Sequence, residues 1–218
     1  MKKELEKYKD YVLIIFLIFM VGSIFGFIIE TVSISLILGK LEIRKGLVYG
    51  PFIQVYGTGA VAYYILLEVI KTKDIKKVFV YSMLIGGTVE YVCSFLLEVF
   101  IDKVSWDYSN EFMNFNGRTS LEYMIIWGII GVVFLKLFYP LLKKFEVIIC
   151  KRWIKIITII LFVLMSFNIW VSSVSALRQI EREQNIEAEG KLDEWLDKYY
   201  PDEMLNKIYH NRYNPQEL

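Results

Sequence analysis

The chain has 218 residues, of which 56% are apolar and 22% are charged, and 25 Lys and Arg against 24 Asp and Glu give a net charge of +1. This composition excludes a soluble domain or a disordered chain, because soluble domains contain about 45–50% apolar residues even with glycine counted. The balanced charge excludes a nucleic-acid partner, since it offers no overall basic character to attract phosphate groups. The sequence therefore predicts an all-α, polytopic integral membrane protein.

Five segments have the roughly 20 mostly apolar residues that a membrane-spanning helix needs. In chain order they are Tyr11 to Ile29 with an extension to about Leu38, Leu47–Ile70, Val78–Ile101, Thr119–Tyr139 and Ile154–Leu177. The first segment has too long an apolar run for a signal peptide, and no small-residue cleavage pattern closes it. We expect residues 1–177 to form one transmembrane domain of about five helices.

Lysine and arginine are concentrated at alternate ends of these segments, which predicts their orientation. The N-terminus and the connections after the second and fourth segments carry 13 Lys and Arg, against 8 in the other connections and the start of the tail. This bias predicts that the N-terminus lies in the cytoplasm and the C-terminus outside.

Residues 178–218 form a polar tail with ten acidic and six basic residues. Its first part favours helix and is expected to extend the fifth segment as far as Gly190. An amphipathic stripe is expected next, to rest on the membrane surface or on the outer loops; its residues are Leu192, Trp195, Leu196 and Tyr199. The alternative is a solvated tail that packs weakly.

Two segments contain the same pattern of small residues and a carboxylate. Gly22-x-x-x-Gly26-x-x-x-Glu30 recurs 60 residues later as Ser82-x-x-x-Gly86-x-x-x-Glu90. These positions share one face of a helix, and small residues let membrane helices approach closely. Each following segment also contains an aromatic–glycine pair, Tyr56-Gly57 or Trp127-Gly128. The pattern predicts a parallel repeat of two helical hairpins with functional groups at their interface; chance matching among abundant Gly and Ser is the alternative.

Glu30 and Glu90 are set inside apolar segments, where an ionisable side chain costs about 2.5–3.5 kcal/mol near the middle of the membrane. They are predicted either to line a substrate or ion path or to make structural polar contacts. Arg44 and Arg118 stand at the starts of the second and fourth segments. There they either extend to the membrane interface or pair with a carboxylate or an anionic ligand.

The start of the second segment favours a broken or re-entrant structure over a plain helix, because it contains Gly50-Pro51, Gly57 and Gly59. Irregular backbone is tolerated at membrane depth only where protein buries it or where it lines a wet cavity. The loop near Trp106 is more polar than an interfacial anchor requires. We therefore predict an outer-facing polar site whose candidate residues are Glu30, Glu90, Arg118, Asp107, Arg44, Asn116, Tyr56 and Gln54.

Several of these motifs resemble the bacterial family of ABC-transporter permeases, type IV (CmpB-like). The matching stretches are Gly26-Phe27-Ile28-Ile29-Glu30, Gly46-x-x-x-Gly50-Pro51, Tyr56-Gly57-x-Gly59, Gly86-Gly87-Thr88-Val89-Glu90-Tyr91, Trp106-Asp107-Tyr108-Ser109, Asn116-Gly117-Arg118 and Trp127-Gly128-x-x-Gly131. The family usually has Asn-Arg-Gly where this chain has Arg44-Lys45-Gly46, and it tends to have proline at the position of Gln54. The resemblance implies a multipass protein of the bacterial cell membrane that takes part in transport.

Three classes of function are compatible with these features. A transport component would need a separate ATPase subunit, because the phosphate-binding loop G-x-x-x-x-G-K-[ST] does not occur in the chain. An enzyme acting on a lipid or lipid-linked substrate would use a carboxylate as general base, and a scaffold or sensor would use the charges structurally. The sequence predicts no catalytic residue, cofactor or metal, and it leaves open whether the chain is an enzyme. Besides a separate ATPase subunit, the expected partner is membrane lipid.

Overall fold

The computed structural model describes residues 2–149 and 151–212, with the side chains of 10–144 and 151–212; the remaining residues of the predicted domain and tail lie outside this range. Four helices or helical stretches are long and apolar enough to cross a membrane: Asp10–Leu38, Ile75–Ile101, Leu121–Lys144 and Arg152–Glu183. The predicted all-α membrane class is confirmed. The helices are α1 Lys2–Leu38, α2 Gln54–Ile70, α3 Ile75–Ile101, α4 Leu121–Val133, α5 Tyr139–Ile149, α6 Arg152–Glu183, α7 Lys191–Tyr199 and α8 Asp202–Ile208.

A π-helical stretch and two short strands complete the described structure. A single π-helical stretch, Phe134–Phe138, joins α4 to α5. Strands β1 (Asn114–Phe115) and β2 (Thr119–Ser120) pair antiparallel, with Asn114 opposite Ser120 and Phe115 opposite Thr119. The hairpin of β1 and β2 leads directly into α4.

The second predicted segment differs from the expectation, because only its last 17 residues are helical, as α2. The described residues thus form four stretches of membrane-spanning length and one shorter apolar helix rather than five helices of similar length. Gly50 has φ of +75°, and Pro51 has no N–H to donate, so a helix cannot run through this pair. The Gly46 N–H donates to the Phe52 carbonyl at 2.9 Å and closes the irregular turn.

Residues 39–53 turn back along α1 as an irregular segment, which we call the re-entrant segment. Its Arg44 N–H donates to Thr31 Oγ1 at 3.2 Å, and its Ile53 N–H donates to the Ser23 carbonyl at 3.0 Å. Ser23 precedes the last residue of α1 by 15 positions, so the segment returns by about 22 Å at the helical rise of 1.5 Å per residue. Irregular backbone was predicted here and is present before Gln54, whereas Gln54 to Gly59 are helical.

The four helices α1 to α4 pack as two hairpins, α1 with α2 and α3 with α4, which meet where α2 contacts α3. The buried core between them is made of Ile18, Tyr63, Tyr64, Leu67, Val78, Trp127 and Phe134. Helix α6 lies against α1, with Lys155 bonded to Asp10 at 2.6 Å and the rings of Phe162 and Phe16 5.1 Å apart. We call the end of the bundle that carries Asp10 the basic end, and the opposite end the tail end.

The tail packs on α6 and on the re-entrant segment rather than lying apart from the protein. Arg178, 3% exposed, donates two hydrogen bonds to Asp197 at 2.9 and 3.0 Å, and the hydroxyls of Tyr49 and Tyr200 lie 2.7 Å apart. A buried apolar cluster joins the same surfaces; it contains Val48, Val171, Leu196, Tyr200, Leu205 and Tyr209. The tail is therefore fixed at the tail end of the bundle.

Two details of the tail differ from the sequence prediction. Helix α6 ends at Glu183, and Gly190 is the N-cap residue before α7 instead of the end of the preceding helix. Of the predicted stripe, Leu196 is buried, whereas Leu192 and Tyr199 are 46% and 54% exposed. The stripe is thus narrower than predicted, and its partner is α6.

Candidate functional site

Glycines on α1 and α3 let an aromatic ring from the next helix pack directly on the backbone. A Cβ atom at Gly26 would overlap with the Tyr56 ring, and a Cβ atom at Gly86 would overlap with Trp127. Both contacts pair a glycine of the repeated pattern with an aromatic–glycine pair of the following helix. The equivalent packing in both hairpins supports the predicted parallel repeat.

Glu30 lies one helical turn beyond Gly26 and accepts a hydrogen bond from the Tyr56 hydroxyl at 3.1 Å. Arg44 of the re-entrant segment interacts electrostatically with this carboxylate. The Arg44 Nε atom is buried and finds no hydrogen-bond partner in the described part of the chain. Gln54 donates instead to the Gly46 carbonyl at 3.4 Å and so holds the re-entrant segment.

Glu90 lies one helical turn beyond Gly86 and is 6% exposed. Its Oε2 accepts a hydrogen bond from Thr119 Oγ1 at 2.7 Å, and its Oε1 accepts one from the Tyr108 hydroxyl at 3.2 Å. Both donors come from the loop and hairpin that connect α3 to α4. The carboxylate is therefore buried but satisfied, as a buried polar group must be.

The loop after α3 is shaped to carry these donors over Glu90. Asn116 and Gly117 have φ of +52° and +67°, which turns the chain between β1 and β2. The Tyr108 N–H donates to the Gly117 carbonyl at 2.8 Å, so the loop closes on the hairpin. The Tyr108 ring stacks on Tyr123 of α4 with a centroid distance of 3.9 Å.

Tyr108 has an environment that keeps its hydroxyl protonated. Burial raises the pKa of Tyr108 well above that of an ordinary tyrosine, and the Glu90 carboxylate raises it further. Glu30 also acts electrostatically on Tyr108. The phenol is thus a hydrogen-bond donor throughout the physiological pH range.

The two glutamates lie on either side of the contact between the hairpins and interact electrostatically. The rings of Tyr56 and Trp127 lie 5.3 Å apart between the hairpins, and the Trp127 side chain also faces Glu90. We call this group the carboxylate site; it consists of Glu30, Tyr56, Glu90, Tyr108, Thr119 and Trp127. Two carboxylates surrounded by hydroxyl donors suit a cation or a ligand with hydrogen-bond donors, and they repel an anion.

Arg118 pairs with a carboxylate, as one of its two interpretations predicted, but its partner is Glu98 at 2.5 Å rather than Glu90. The guanidinium also lies 5.7 Å from the Tyr91 ring centroid and 5.4 Å from that of Phe95. Its backbone carbonyl accepts a hydrogen bond from Trp106 Nε1 at 2.9 Å. In this structure Arg118 holds the loop on α3.

Asp107 and Asn116 lie at the rim of the site. Asp107 Oδ1 accepts hydrogen bonds from the Ser109 N–H and hydroxyl at 3.0 and 2.6 Å, so this carboxylate stabilises a turn. Asn116 is exposed and donates to the Tyr91 hydroxyl at 3.3 Å. Among the eight predicted residues, Glu30, Tyr56 and Glu90 form the site and Arg44 lies beside it.

Four residues in or beside the carboxylate site were not among the candidates predicted from the sequence: Tyr108, Thr119, Tyr123 and Trp127. Tyr108 belongs to the Trp106-Asp107-Tyr108-Ser109 motif and Trp127 to an aromatic–glycine pair, so both had a recognisable signal. Thr119 had none, because a threonine at the start of an apolar segment is unremarkable by itself.

This fold defines an all-α membrane protein, and its buried polar cluster lies where two helical hairpins meet. The chain belongs to the family described as "Putative ABC-transporter type IV", whose family model matches residues 17–173. The match covers the re-entrant segment and both hairpins and ends before α7 and α8. No curated protein and no solved structure matches the chain.

Proposed function

We propose that the protein is the membrane-embedded component of a transporter and that the carboxylate site lies on the path of its substrate. Membership of an ABC-transporter family supports the transport role. The observation that carries the proposal is that Glu30 and Glu90, at equivalent positions of two hairpins inside apolar helices, lie on either side of the packed rings of Tyr56 and Trp127. Repeat interfaces are where membrane transporters place their substrate sites.

The chemistry of the site supports a transport role over a catalytic one. Ionisable residues at membrane depth are costly, and they mark substrate and ion pathways. The hydroxyls of Tyr108 and Thr119 are engaged by Glu90. The described site therefore offers hydrogen bonding and negative charge, but no nucleophile paired with a base.

Energy for transport is proposed to come from a separate ATPase subunit that binds the basic end. Four lysines lie at that end, two in the connection between α2 and α3 and two in the first turn of α3: Lys71, Lys73, Lys76 and Lys77. The positive-inside rule places them in the cytoplasm of a bacterial cell, where ATP is available. The carboxylate site then opens towards the outside, at the tail end.

Cross-linking in native membranes tests this arrangement. After treatment with an amine-reactive cross-linker, the protein is purified and its cross-linked peptides are identified by mass spectrometry. We expect a protein with a phosphate-binding loop to be linked through the exposed Lys73, Lys76 or Lys77. The exposed Lys40, Lys191 and Lys198 at the tail end are the internal control. Absence of a nucleotide-binding partner, or its linkage to the control lysines, would refute the proposal.

A further inference from the structure

A lateral apolar groove lies directly beside the carboxylate site. The cavity, of about 270 Å³, is bounded by α1, α2 and α4 with the π-helical stretch. It extends along α1 from Ile18 to Ile29, a distance of about 16 Å at the helical rise. Its volume is nearly twice that of the roughly 150 Å³ apolar cavity that accommodates benzene. A hydrocarbon chain therefore fits in length and in volume.

The groove opens sideways, towards the membrane interior. Val21 and Phe25 on α1, with Ile129 and Val133 on α4, line it and are between 40% and 54% exposed. All four residues belong to membrane-spanning stretches. Hydrocarbon chains of the bilayer are thus the medium at the groove mouth.

The walls of the groove are suited to hydrocarbon and not to water. Apart from two tyrosines, the lining residues are aliphatic, Phe, Trp, Gly or Ala. The Tyr63 hydroxyl is already bonded to the Trp127 carbonyl at 2.8 Å. Ordered water needs two to four polar partners, and this surface does not supply them.

One end of the groove is polar, which sets the direction of an occupant. Tyr56 lines the groove, and its hydroxyl is bonded to Glu30. The Glu30 carboxylate lies behind Tyr56 and interacts with Arg44. The buried Glu90 adds a second negative charge to the site, whereas Arg118 is paired with Glu98. The complementary head group has an ammonium for Glu30 and a phosphate for Arg44, whose buried Nε finds no acceptor among the described residues.

We propose that the groove binds one hydrocarbon chain of a zwitterionic phospholipid whose primary ammonium group lies at Glu30. This inference rests on the proposed function, because it assigns an amine-bearing lipid as the substrate class of the carboxylate site. The groove holds the chain, and the carboxylate site selects the head group by charge.

The test uses phosphatidylethanolamine with brominated chains, which quench tryptophan fluorescence at short range. The full-length protein in a neutral detergent is titrated with this lipid. The Trp127 signal is obtained by subtracting the fluorescence of the Trp127→Phe variant from that of the wild type. Phosphatidylglycerol with the same chains has an anionic head and serves as the matched lipid. We expect saturable quenching of Trp127, with a midpoint lipid concentration at least fivefold lower for phosphatidylethanolamine than for phosphatidylglycerol. Equal midpoints, or quenching that does not saturate, would overturn the proposal.

Variants at the groove mouth separate groove binding from general contact with lipid. The double variant Val21→Phe and Val133→Phe narrows the mouth and should raise the midpoint at least fivefold. Val163→Phe makes the same change on a 60% exposed position of α6 and should leave it unaltered. Glu30→Gln should reduce the preference for phosphatidylethanolamine while the chain still binds. An unchanged midpoint in the double variant would overturn the proposal. A protein dimer that covers the groove and shields Trp127 from both lipids would also overturn it.

The lipid titration and the cross-linking experiment fail independently. An ATPase linked to the basic end without selective lipid binding would leave the transport proposal standing and overturn the lipid assignment. Selective lipid binding without a nucleotide-binding partner would support the lipid site and refute the transport proposal.

Discussion

Replacement of Thr119 by valine removes the shorter of the two hydrogen bonds to Glu90 with little change in side-chain volume. The bond measures 2.7 Å from Thr119 Oγ1 to Glu90 Oε2, and both residues are buried. Hydrogen bonds to charged groups contribute about 1.5–3 kcal/mol and neutral ones about 0.5–1.5 kcal/mol, while interhelical bonds in membranes average about 0.6 kcal/mol. Because Glu90 retains only Tyr108 as a hydroxyl donor in the variant, we expect the free energy of unfolding to fall by about 1–3 kcal/mol.

Reversible unfolding in mixed micelles measures this loss. Thr88→Val on α3 is the matched control, because the Thr88 hydroxyl is exposed and donates to the Leu84 carbonyl of its own helix. The control should stay within about 0.5 kcal/mol of the wild type. In a Glu90→Met background, Thr119→Val should cost almost nothing, since the acceptor is gone. An equal cost of Thr119→Val with and without Glu90 would refute the reasoning.

Three further predictions concern packing and the tail. Gly26→Ala and Gly86→Ala should each lower the free energy of unfolding by about 1–3 kcal/mol through overpacking, in the same assay; a neutral result at either site would contradict the repeat. Arg178→Met should lower the free energy of unfolding by about 3 kcal/mol, the lower end of the range for breaking a buried ion pair, because Asp197 is one-third exposed. Amide hydrogen exchange in α7 should become faster in this variant. Unchanged protection of the α7 amides would contradict the prediction. Arg178 holds the pKa of Asp197 below its usual range. The Asp197 carboxylate therefore stabilises the docked tail at pH values above its usual pKa, and this stabilisation is lost as the pH falls through the lower pKa of the folded state. Trp195 fluorescence should change on acidification below about pH 4 in the wild type and not in Asp197→Asn.

The repeated hairpins and their two glutamates were predictable from the sequence because they depend on local spacing. The interval between Glu30 and Glu90, with small residues at i−4 and i−8, places each carboxylate on a close-packed helix face. The aromatic–glycine pairs indicated the packing partners, and the structure places Tyr56 and Trp127 on the corresponding glycines.

The partners supplied by irregular chain were not predictable in the same way. Thr119 reaches Glu90 because positive-φ residues turn the loop before it, and Arg118 faces Glu98 for the same reason. Such turns depend on tertiary contacts rather than on periodicity. The tail stripe was visible in the sequence, but its partner was not, because Arg178 is separated from Asp197 by the end of α6 and an irregular connection.

The most direct test of the central claim is the ATP hydrolysis rate of the protein purified with its ATPase partner from native membranes. We expect the wild-type complex to hydrolyse ATP and the Glu30→Gln and Glu90→Gln double variant to alter the rate at least fivefold in an intact complex. The exposed Glu122→Gln serves as the control and should match the wild type. A double variant with the wild-type rate and stability would contradict a transport path through the carboxylate site.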